Sequence, residues 1–405
     1  MRIGLFTDQY YPQISGVVTS IKMLYEGLEA LGHECFIFTS FDEAFENEPE
    51  LKSKKVINFP GRPYPIKVVK DYRYTLTHKK FVKVVKEYNL DIIHVHTEFN
   101  IAKIAKVASK KLGIPVVHTF HTSWKDYIKY IFPRLDKVCH GFLVWLLRKL
   151  FTKPISKVSL IEILPTKKVR NDLKVYGMKA PTRIVPTGIE LSRFDKNNFT
   201  KEQIADLKAK LGIKETDFVF MYVGRTSKEK DIPVIMDGFK AAFNNDPNIK
   251  LLVVGGGPYL GEIQDHAKKI DIMDQTIFTD LVPWTEVPMY YQIGDIFCNA
   301  SQSETQGLTY IEALSSEIPV LVRKDECIEE VITHEYNGYT FETHEELVNY
   351  MKKVVENKEV LDTLRINTLE SVKKYSKEEF TNNILEVYVE AIEMYKNSKK
   401  KKKNK

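Results

Sequence analysis

The chain of 405 residues is 43% hydrophobic and 28% charged, which is typical of a globular protein with two or three domains. Its four cysteines have no paired spacing, which argues against a disulfide framework or a zinc site and favours a reducing cytosol. The net charge of +6 is modest, and the longest apolar run, VCHGFLVWLL, is about half of what a membrane span requires. Asp8 and Gln9 interrupt the first apolar run too early for a signal peptide.

The first forty residues predict a strand, a loop, a helix and a second strand. Residues 3–7 and 35–40 are short apolar strands, and a helical pattern runs from about Val17 to Leu31. The loop between the first strand and the helix carries Pro12 and Gly16. Doubly wound sheets bind phosphates at this loop. PQISG is not a dinucleotide fingerprint, so a simple turn glycine is the alternative.

Two further predicted strands, at 91–96 and 114–121, end in histidines. Because the carboxyl ends of parallel strands converge at one crevice, these side chains are expected to lie close together. A metal cluster is one interpretation. Without a carboxylate-rich partner motif, contacts with sugar or phosphate, or a structural role, are favoured. His121 lies furthest past its strand and is expected to meet a substrate. The four histidines are His94, His96, His118 and His121.

A polar stretch near residue 197 predicts a domain boundary, after which the α/β pattern restarts. The expected domains are 1–196 and 197–378. Residues 379–396 are expected to form a helix that returns to the first domain. The lysine-rich residues 397–405 are expected to be a disordered tail.

The second half predicts another parallel sheet with charged residues after its strands. The strand at 217–225 ends in Gly224 and Arg225, and Lys230 follows five residues later. A second strand, at 249–258, ends in three glycines. Two fixed cations opposite a helix N-terminus are typical of a diphosphate clamp, because delocalised anionic oxygens favour cationic donors.

The stretch 301–320, SQSETQGLTYIEALSSEIPV, carries two glutamates eight residues apart, Glu304 and Glu312. It predicts a loop and then a helix, after a buried strand at 295–301. Carboxylates bind sugar hydroxyls well because each accepts two hydrogen bonds. In isolation, two solvated glutamates on a capped surface helix would be the simpler interpretation.

The start of this helix predicts an anion site. Ser303 or Thr305 is a candidate N-cap residue, and a glycine lets the backbone approach a ligand closely. Free amides at a helix N-terminus favour an anion. The amides concerned are those of Gly307, Leu308 and Thr309.

The combination of VGRTSKEKD, GGGP and SETQGLTYIEAL followed by PV resembles the family-4 retaining glycosyltransferases. That resemblance implies an α/β fold of two doubly wound Rossmann-like domains facing across a cleft, the GT-B architecture. DQYYPQISGVVTSI, HTFHTSW and Gln306, where the wider family usually has phenylalanine, are most similar to the bacterial 1,2-diacylglycerol 3-α-glucosyltransferases. Glu317 departs from the family, which commonly has glycine there.

The resemblance implies a role for each residue around the donor's diphosphate and sugar. Gly16 would lie against the diphosphate from the first domain, while Arg225 and Lys230 would neutralise it. Glu304 would hold hydroxyls of the donor sugar. The amides of Gly307, Leu308 and Thr309 would assist the phosphate and the sugar.

The remaining implied roles concern the nucleoside and the acceptor. Glu312 would hold the ribose hydroxyls, and the backbone near Leu281 and Val282 would face the uracil. His121 would sit beside the sugar and the acceptor hydroxyl. The donor implied is UDP-glucose, the acceptor is diacylglycerol, and no nucleic acid is expected as a partner. A different nucleotide sugar or a soluble acceptor is the alternative.

The expected chemistry needs no tightly bound cofactor. Many metal-dependent transferases hold a divalent ion with Asp-x-Asp, which this sequence lacks, so Arg225 and Lys230 are expected to replace the metal. The family's retention is usually explained by front-face attack, in which a phosphate oxygen takes the acceptor proton. Double displacement through Glu304, as in retaining glycosidases, is the alternative.

Three other classes of protein are alternatives to a glycosyltransferase. A GT-B phosphorylase would carry pyridoxal phosphate and be much longer. A sugar-nucleotide epimerase shares the fold and would act without an acceptor. A basic membrane or nucleic-acid adaptor would leave the clamp and the two glutamates unexplained.

Two basic segments of the first domain predict docking on an anionic membrane surface, at the inner face of the cell membrane. Between Arg62 and Lys86 there are eight Lys or Arg residues with interleaved apolar side chains, and one acid, Asp71. The segment Trp124–Lys157 has aromatic residues and then FLVWLLRKLF with flanking basic residues. The alternative is that each helix buries its apolar side and solvates its lysines.

Overall fold

The computed structural model describes residues 1–13, 15–41, 45, 48–49, 51–64, 72–75, 78–121, 133–175, 180–244 and 246–403. The chain forms two compact units. The first contains Met1–Ile189 and Lys377–Lys405, and the second contains Glu190–Ser376.

The first unit is built on a parallel sheet which, over the described residues, has seven strands in the order β3-β2-β1-β6-β7-β8-β9. A short antiparallel pair, β4 with β5, lies outside it. The strands are β1 Arg2–Phe6, β2 Glu34–Thr39, β3 Val56–Asn58, β4 Arg62–Pro63, β5 Arg73–Tyr74, β6 Ile92–Val95, β7 Val116–Thr119, β8 Ile161–Leu164 and β9 Thr182–Ile184.

The second unit has a parallel sheet of its own, whose described strands follow the order β12-β11-β10-β13-β14-β15. These strands are β10 Phe218–Val223, β11 Ile249–Val254, β12 Thr276–Phe278, β13 Ile296–Asn299, β14 Val320–Arg323 and β15 Gly338–Phe341.

Helices connect the strands of both sheets. They are α1 Gly16–Ala30, α2 His78–Glu87, α3 Asn100–Leu112, α4 Pro133–Leu147, α5 Lys153–Ser156, α6 Lys167–Val175, α7 Lys201–Lys210, α8 Ile232–Phe243, α9 Leu260–Lys269, α10 Val287–Tyr291, α11 Leu308–Ser315, α12 His344–Glu356, α13 Lys358–Ile366, α14 Thr368–Val372 and α15 Lys377–Lys403. A π-helical turn, Arg148–Thr152, joins α4 to α5. Short 3₁₀ turns occupy Leu191–Phe194, Lys196–Asn198, Lys228–Lys230, Met273–Gln275 and Lys373–Tyr375.

The central strands of the first sheet, β1, β6, β7 and β8, are buried on both faces, because helices cover a parallel sheet on both sides. Successive side chains therefore enter different cores. Helices α1 and α15 cover one face, and Gly27 lets them approach closely, since a Cβ there would lie 2.0 Å from Thr381 Oγ1. That core includes Ile3, Leu5 and Ile37, whereas Phe6, Phe36 and Phe38 lie in the core beneath α3.

Each strand order reverses direction once, and the reversal places the loops that can bind a ligand. In the first sheet it falls between β1 and β6, and in the second between β10 and β13. Crevices in doubly wound sheets open beyond the carboxyl ends of the strands at this switch point. The loops after β1, β6, β10 and β13 are therefore the expected positions of functional residues.

The boundary between the units differs from the predicted one at 196/197. Residues after Ile189 belong to the second unit because their side chains pack there. The Arg193 guanidinium carbon lies 3.3 Å from the centre of the Trp284 ring, and Phe194 packs edge-on against Tyr291 with ring centres 5.7 Å apart.

The structure also differs from the expected disordered tail over residues 397–403, whereas residues 404–405 lie outside the described residues. Helix α15 continues through Lys403. Lysine has a high helix propensity, so a run of lysines can extend a helix that is already anchored. The anchor is the buried stretch that includes Phe380, Ile384 and Tyr388 in the core shared with α1.

Candidate active site

The loop after β10 brings two cations to the switch point of the second sheet. Gly224 has φ 147°, a conformation that favours glycine, and its amide donates to the carbonyl of Val254 at 3.0 Å. Arg225 follows with an exposed side chain, and its carbonyl accepts a hydrogen bond from Tyr222 Oη at 3.0 Å. The loop thus presents the guanidinium to solvent while its backbone is fixed.

Lys230 ends the 3₁₀ turn that follows, and it pairs directly with Glu304. The distance from Lys230 Nζ to Glu304 Oε1 is 2.5 Å, and the two side chains are 21% and 14% exposed. The turn is held by Lys230 N–H donating to Ser227 O at 3.0 Å and by Ser301 Oγ donating to Glu229 O at 3.3 Å. The sequence predicted both charged residues but not their contact.

Helix α11 begins at Leu308, directly after Gly307. Gly307 is the N-cap residue, with φ 74° and ψ 69° and no side-chain cap. The prediction that Ser303 or Thr305 caps the helix is therefore wrong, because the left-handed Gly307 makes the turn itself. A Cβ on Gly307 would lie 2.2 Å from Tyr310 Cε2, so both backbone angle and packing require glycine. Leu308 and Thr309 form the first turn of the helix.

Glu312 lies on the second turn of α11, and the structure adds a neighbour that the sequence analysis missed. Tyr291 Oη donates to Glu312 Oε2 at 3.0 Å. Burial raises the pKa of the Glu312 carboxyl, while the Tyr291 hydrogen bond and the charge of Arg193 lower it. No sequence signal links Tyr291 to Glu312, because the sequence alone does not distinguish Tyr291 from other aromatic residues of the core.

Leu281 and Val282 follow β12 in a loop held by Asp280. Asp280 has φ 58°, and its Oδ1 accepts the Leu281 N–H at 2.8 Å. The Leu281 side chain is 76% exposed. Gly256 lies against this loop, where a Cβ would be 2.3 Å from Asp280 Oδ1, so the glycine-rich end of β11 allows the close approach.

Glu317, the residue that departs from the family pattern, closes α11. It has φ 59°, a left-handed conformation that explains why glycine is common at this position. Glu317 N–H donates to Leu314 O at 3.2 Å, and Ile318 N–H donates to Ala313 O at 3.0 Å, which is a Schellman motif. The Glu317 carboxylate pairs with Lys196 Nζ at 2.8 Å. The departure of Glu317 from the family pattern therefore affects the C-terminal end of helix α11.

In the first unit, Gly16 is the first residue of α1. Ser15 is the N-cap residue, and its Oγ accepts the Val18 N–H at 3.3 Å. The loop therefore delivers a capped helix N-terminus to the switch point of the first sheet, after β1.

Three of the four predicted histidines lie together on one face of the first sheet. His96 Nδ1 and His121 Nε2 are 3.3 Å apart, and the rings of His94 and His96 have centres 3.9 Å apart. His94 also bonds Tyr388 Oη at 2.7 Å and Thr119 Oγ1 at 2.6 Å. Burial and then the charge of neighbouring histidines lower the pKa of all three, to about 3 for His121. They are therefore neutral at physiological pH.

The fourth histidine, His118, lies apart from this group. Its Nδ1 is 2.6 Å from Glu162 Oε2, its Nε2 is 4.0 Å from Glu98 Oε1, and all three side chains are buried. Burial raises the pKa of Glu98 to about 7. The sequence analysis missed both glutamates, because each stands in or beside an apolar run. Among the described residues, no group of three or more His, Cys, Asp or Glu is arranged to hold a metal ion.

Parts of the two basic segments lie outside the described residues, namely 65–71, 76–77 and 122–132. The described part of the second segment contains the exposed side chains of Phe142, Trp145 and Leu150. Within the described ranges, no helix is both long enough and apolar enough to cross a membrane.

Two family models match the chain: "Glycosyltransferase Family 4" over residues 14–193 and "Glycosyl transferases group 1" over residues 203–379. The alpha-monoglucosyldiacylglycerol synthase of Acholeplasma laidlawii is 38% identical over 405 residues, covering 99% of each chain. The synthase of the same name from Streptococcus pneumoniae is 34% identical over 394 residues, covering 97% of this chain and 86% of that protein.

Solved structures show the same fold at low sequence identity. Anabaena HepE in complex with UDP and glucose matches 96% of this chain and 100% of its own, with a TM-score of 0.76 and 17% identity. Sucrose-phosphate synthase from Thermosynechococcus elongatus matches 96% of this chain and 98% of its own, with a TM-score of 0.73 and 18% identity. With these matches, the chain belongs to the family-4 glycosyltransferases of GT-B fold.

Proposed function

We propose that this glycosyltransferase transfers glucose from UDP-glucose to 1,2-diacylglycerol and forms α-monoglucosyldiacylglycerol, a membrane glycolipid. The observation that carries this proposal is the 38% identity to a synthase of that name, which extends over 99% of both chains. The α-linkage of the product matches the α-linkage of glucose in UDP-glucose. The reaction therefore retains the configuration at C1.

Arg225 and Lys230 are proposed to neutralise the donor's diphosphate. They lie in one loop at the switch point of the second sheet, where such folds bind ligands. Fixed cations stabilise the charge that develops on a leaving phosphate, since they need no reorganisation during the reaction. We propose that they replace a metal ion in this step, in keeping with a sequence that contains no Asp-x-Asp.

Glu304 is proposed to hold hydroxyls of the donor sugar, assisted by the amides of Gly307, Leu308 and Thr309. The ion pair between Lys230 and Glu304 supports this role, because it brings the carboxylate beside the cation that is proposed to bind phosphate. A donor that spans the bond between sugar and phosphate would contact both members of the pair. Each partner then orients the other, which supports recognition of the intact nucleotide sugar.

Glu312 is proposed to bind the ribose, and the backbone at Leu281 and Val282 to face the uracil. Glu312 stands about one helical turn from the start of α11, with a fixed hydrogen-bond partner in Tyr291. The Leu281–Val282 loop is braced by Asp280, which supports a backbone surface of defined shape. A nucleoside could therefore be recognised without base-specific side chains.

From the first unit, Gly16 is proposed to approach the diphosphate and His121 the sugar and the acceptor hydroxyl. Gly16 supports this role because the first amides of a helix favour an anion. His121 supports it because its ring is neutral and fixed by His96, so it offers a hydrogen bond without a charge.

In the proposed step, the acceptor hydroxyl oxygen forms a bond to C1 of glucose while the bond from C1 to the β-phosphate oxygen breaks. The hydroxyl proton passes to an oxygen of the leaving diphosphate on the same face. UDP and the glucosyl lipid are the products. Front-face attack is favoured over double displacement, because pairing with Lys230 makes the Glu304 carboxylate a poorer nucleophile.

A peripheral site on the inner face of the cell membrane is part of the proposal. Phe142 and Trp145 on α4 stack with ring centres 5.7 Å apart, and Lys149 Nζ lies 4.7 Å from the centre of the Trp145 ring. The side chain of Leu150, in the π-helical turn that follows α4, is also exposed. Aromatic side chains beside lysines suit the interface of an anionic bilayer.

Vesicle flotation tests this membrane contact, with phosphatidylglycerol compared against phosphatidylcholine and with Lys399–Lys405 deleted. We expect preferential binding to phosphatidylglycerol, weakened by salt and by Phe142→Ser with Trp145→Ser. Equal binding to both lipids, or loss of all binding with the deletion alone, would contradict docking by the first unit.

The catalytic proposal is tested with radiolabelled UDP-sugars offered to lipid and to soluble acceptors in parallel. We expect label from UDP-glucose to enter a lipid product when diacylglycerol is present. Label that appears only in a water-soluble acceptor would contradict the lipid assignment, and transfer from another sugar nucleotide alone would contradict the donor.

A further inference from the structure

Tyr291 holds Glu312 from within the protein. Its hydroxyl donates to Glu312 Oε2 at 3.0 Å and lies 3.4 Å from the carbonyl oxygen of Thr309. Tyr291 ends α10, and its side chain is fully buried. Since a carboxylate only accepts hydrogen bonds, the contact fixes the direction of donation from Tyr291 to Glu312.

The tyrosine ring is packed against two other aromatic rings, which fixes the hydroxyl oxygen beside Glu312. Phe194 packs edge-on against it with ring centres 5.7 Å apart, and Phe297 packs at 6.4 Å. Phe297 belongs to β13, the strand that leads into the loop of Glu304. The hydroxyl is therefore positioned by the sheet itself.

A nearby cation completes the environment of Glu312. The Arg193 guanidinium stacks on Trp284 at 3.3 Å and donates from Nη2 to Trp284 O at 3.0 Å. Burial raises the pKa of Glu312, and the Tyr291 hydrogen bond and the charge of Arg193 offset part of that rise. These contacts favour a carboxylate in one fixed orientation.

We propose that Tyr291 is a positioning residue for the donor's ribose: its hydroxyl fixes the Glu312 carboxylate so that the protein selects a ribonucleotide over a 2′-deoxyribonucleotide. The inference rests on the proposed role of Glu312 in binding the ribose. An oriented carboxylate discriminates between hydroxyl patterns, because a missing hydroxyl leaves a buried acceptor without its donor. A carboxylate that can rotate readjusts and discriminates less.

The test measures the affinities of UDP and 2′-deoxy-UDP by calorimetry for the wild type and for Tyr291→Phe, which removes only the hydroxyl. We expect the wild type to prefer UDP by at least about tenfold, the scale of one hydrogen bond to a charged group. In Tyr291→Phe we expect UDP affinity to fall about tenfold and the preference to fall below about threefold. The KM for UDP-glucose should rise while kcat changes little, since the hydroxyl does not touch the reacting atoms.

Tyr290→Phe is the matched control, because Tyr290 is the buried neighbour on the same helix and is not a hydrogen-bond partner of Glu312. It should keep the full preference for UDP. If Tyr291→Phe does not fold, the same change is made in a Glu317→Gly background. That substitution removes the backbone strain of a non-glycine residue in the left-handed conformation at the end of α11.

The outcomes separate this inference from the proposed function. A wild type that prefers UDP, with a Tyr291→Phe variant that keeps the same preference, overturns the role of Tyr291 alone. A wild type that binds UDP and 2′-deoxy-UDP equally overturns the ribose role of Glu312 as well. Parallel losses of affinity for both nucleotides in Tyr291→Phe indicate a merely structural tyrosine and also overturn the inference.

Discussion

Lys230 Nζ lies 2.5 Å from Glu304 Oε1, so a lysine that follows β10 and a glutamate that follows β13 form one ion pair at the switch point of the second sheet. The two charges compensate each other while both side chains are largely buried. Removing either one leaves the other without its partner in a site of low dielectric, which is costly. Their contributions to catalysis should therefore be coupled.

Substitution of Lys230, Glu304 or Arg225 should strongly impair glucosyl transfer. We expect Lys230→Ala and Glu304→Ala each to lower kcat by about a hundredfold or more, and Arg225→Ala to behave similarly, the scale for one preorganised charge contact. The double variant of Lys230 and Glu304 should lose far less than the product of the single losses. Lys228→Ala, an exposed lysine in the same turn, is the control. Near wild-type turnover in Lys230→Ala would contradict the clamp.

Removal of divalent ions should leave glucosyl transfer intact if cationic side chains of the protein neutralise the donor's diphosphate. Initial rates measured with excess chelator should stay within about twofold of the untreated enzyme, because fixed Arg225 and Lys230 need no added ion. The control adds magnesium back in excess of the chelator. A rate that collapses with chelator and returns with magnesium would show that the clamp alone is insufficient.

His121 should remain neutral across the working range of pH. Burial, and then the charge of His118, lowers the pKa of His121 to about 3, so the ring stays unprotonated as the pH falls from 8 to 5. The NMR resonances of this imidazole, assigned with His121→Gln, should not titrate in that interval. A titration midpoint between pH 5 and 8 would contradict the buried, neutral partner of His96.

Glu317→Gly should stabilise the protein. Glu317 has φ 59° in the Schellman motif after α11, and a non-glycine residue in the left-handed region is strained. We expect the free energy of unfolding to rise by about 1 kcal/mol in denaturant titrations. Lys196→Ala measures the contribution of the exposed ion pair separately. A lower stability in Glu317→Gly, beyond the effect of Lys196→Ala, would show that the ion pair outweighs the strain.

The fold could be predicted where strands are apolar and followed by glycine or charge. The predicted strands at 217–225 and 249–258 correspond to β10 and β11. They were predictable because both are continuous apolar runs. Strands β3 and β15 were not predicted, because each is only three or four residues long and lies among polar residues. Burial of such short segments is decided by the neighbouring strands.

The residues of the candidate site could be predicted as types, but their contacts could not. Glu304 and Lys230 were recognisable from their positions after strands, yet their ion pair depends on β10 lying beside β13. The same holds for His118 and Glu162, which meet because β7 pairs with β8. Tyr291 gave no signal in the sequence, since its proposed role depends on a single hydrogen bond from its hydroxyl to Glu312.

The configuration of the product from UDP-glucose and 1,2-diacylglycerol tests the central proposal most directly. Purified protein is incubated with both substrates in vesicles, and the glycolipid is examined by NMR for its anomeric coupling and for the glycerol position that carries glucose. We predict a single α-linked glucosyl group on the free hydroxyl of diacylglycerol. A β-linked product, or the absence of any glucosylated lipid while UDP-glucose is consumed, would contradict it.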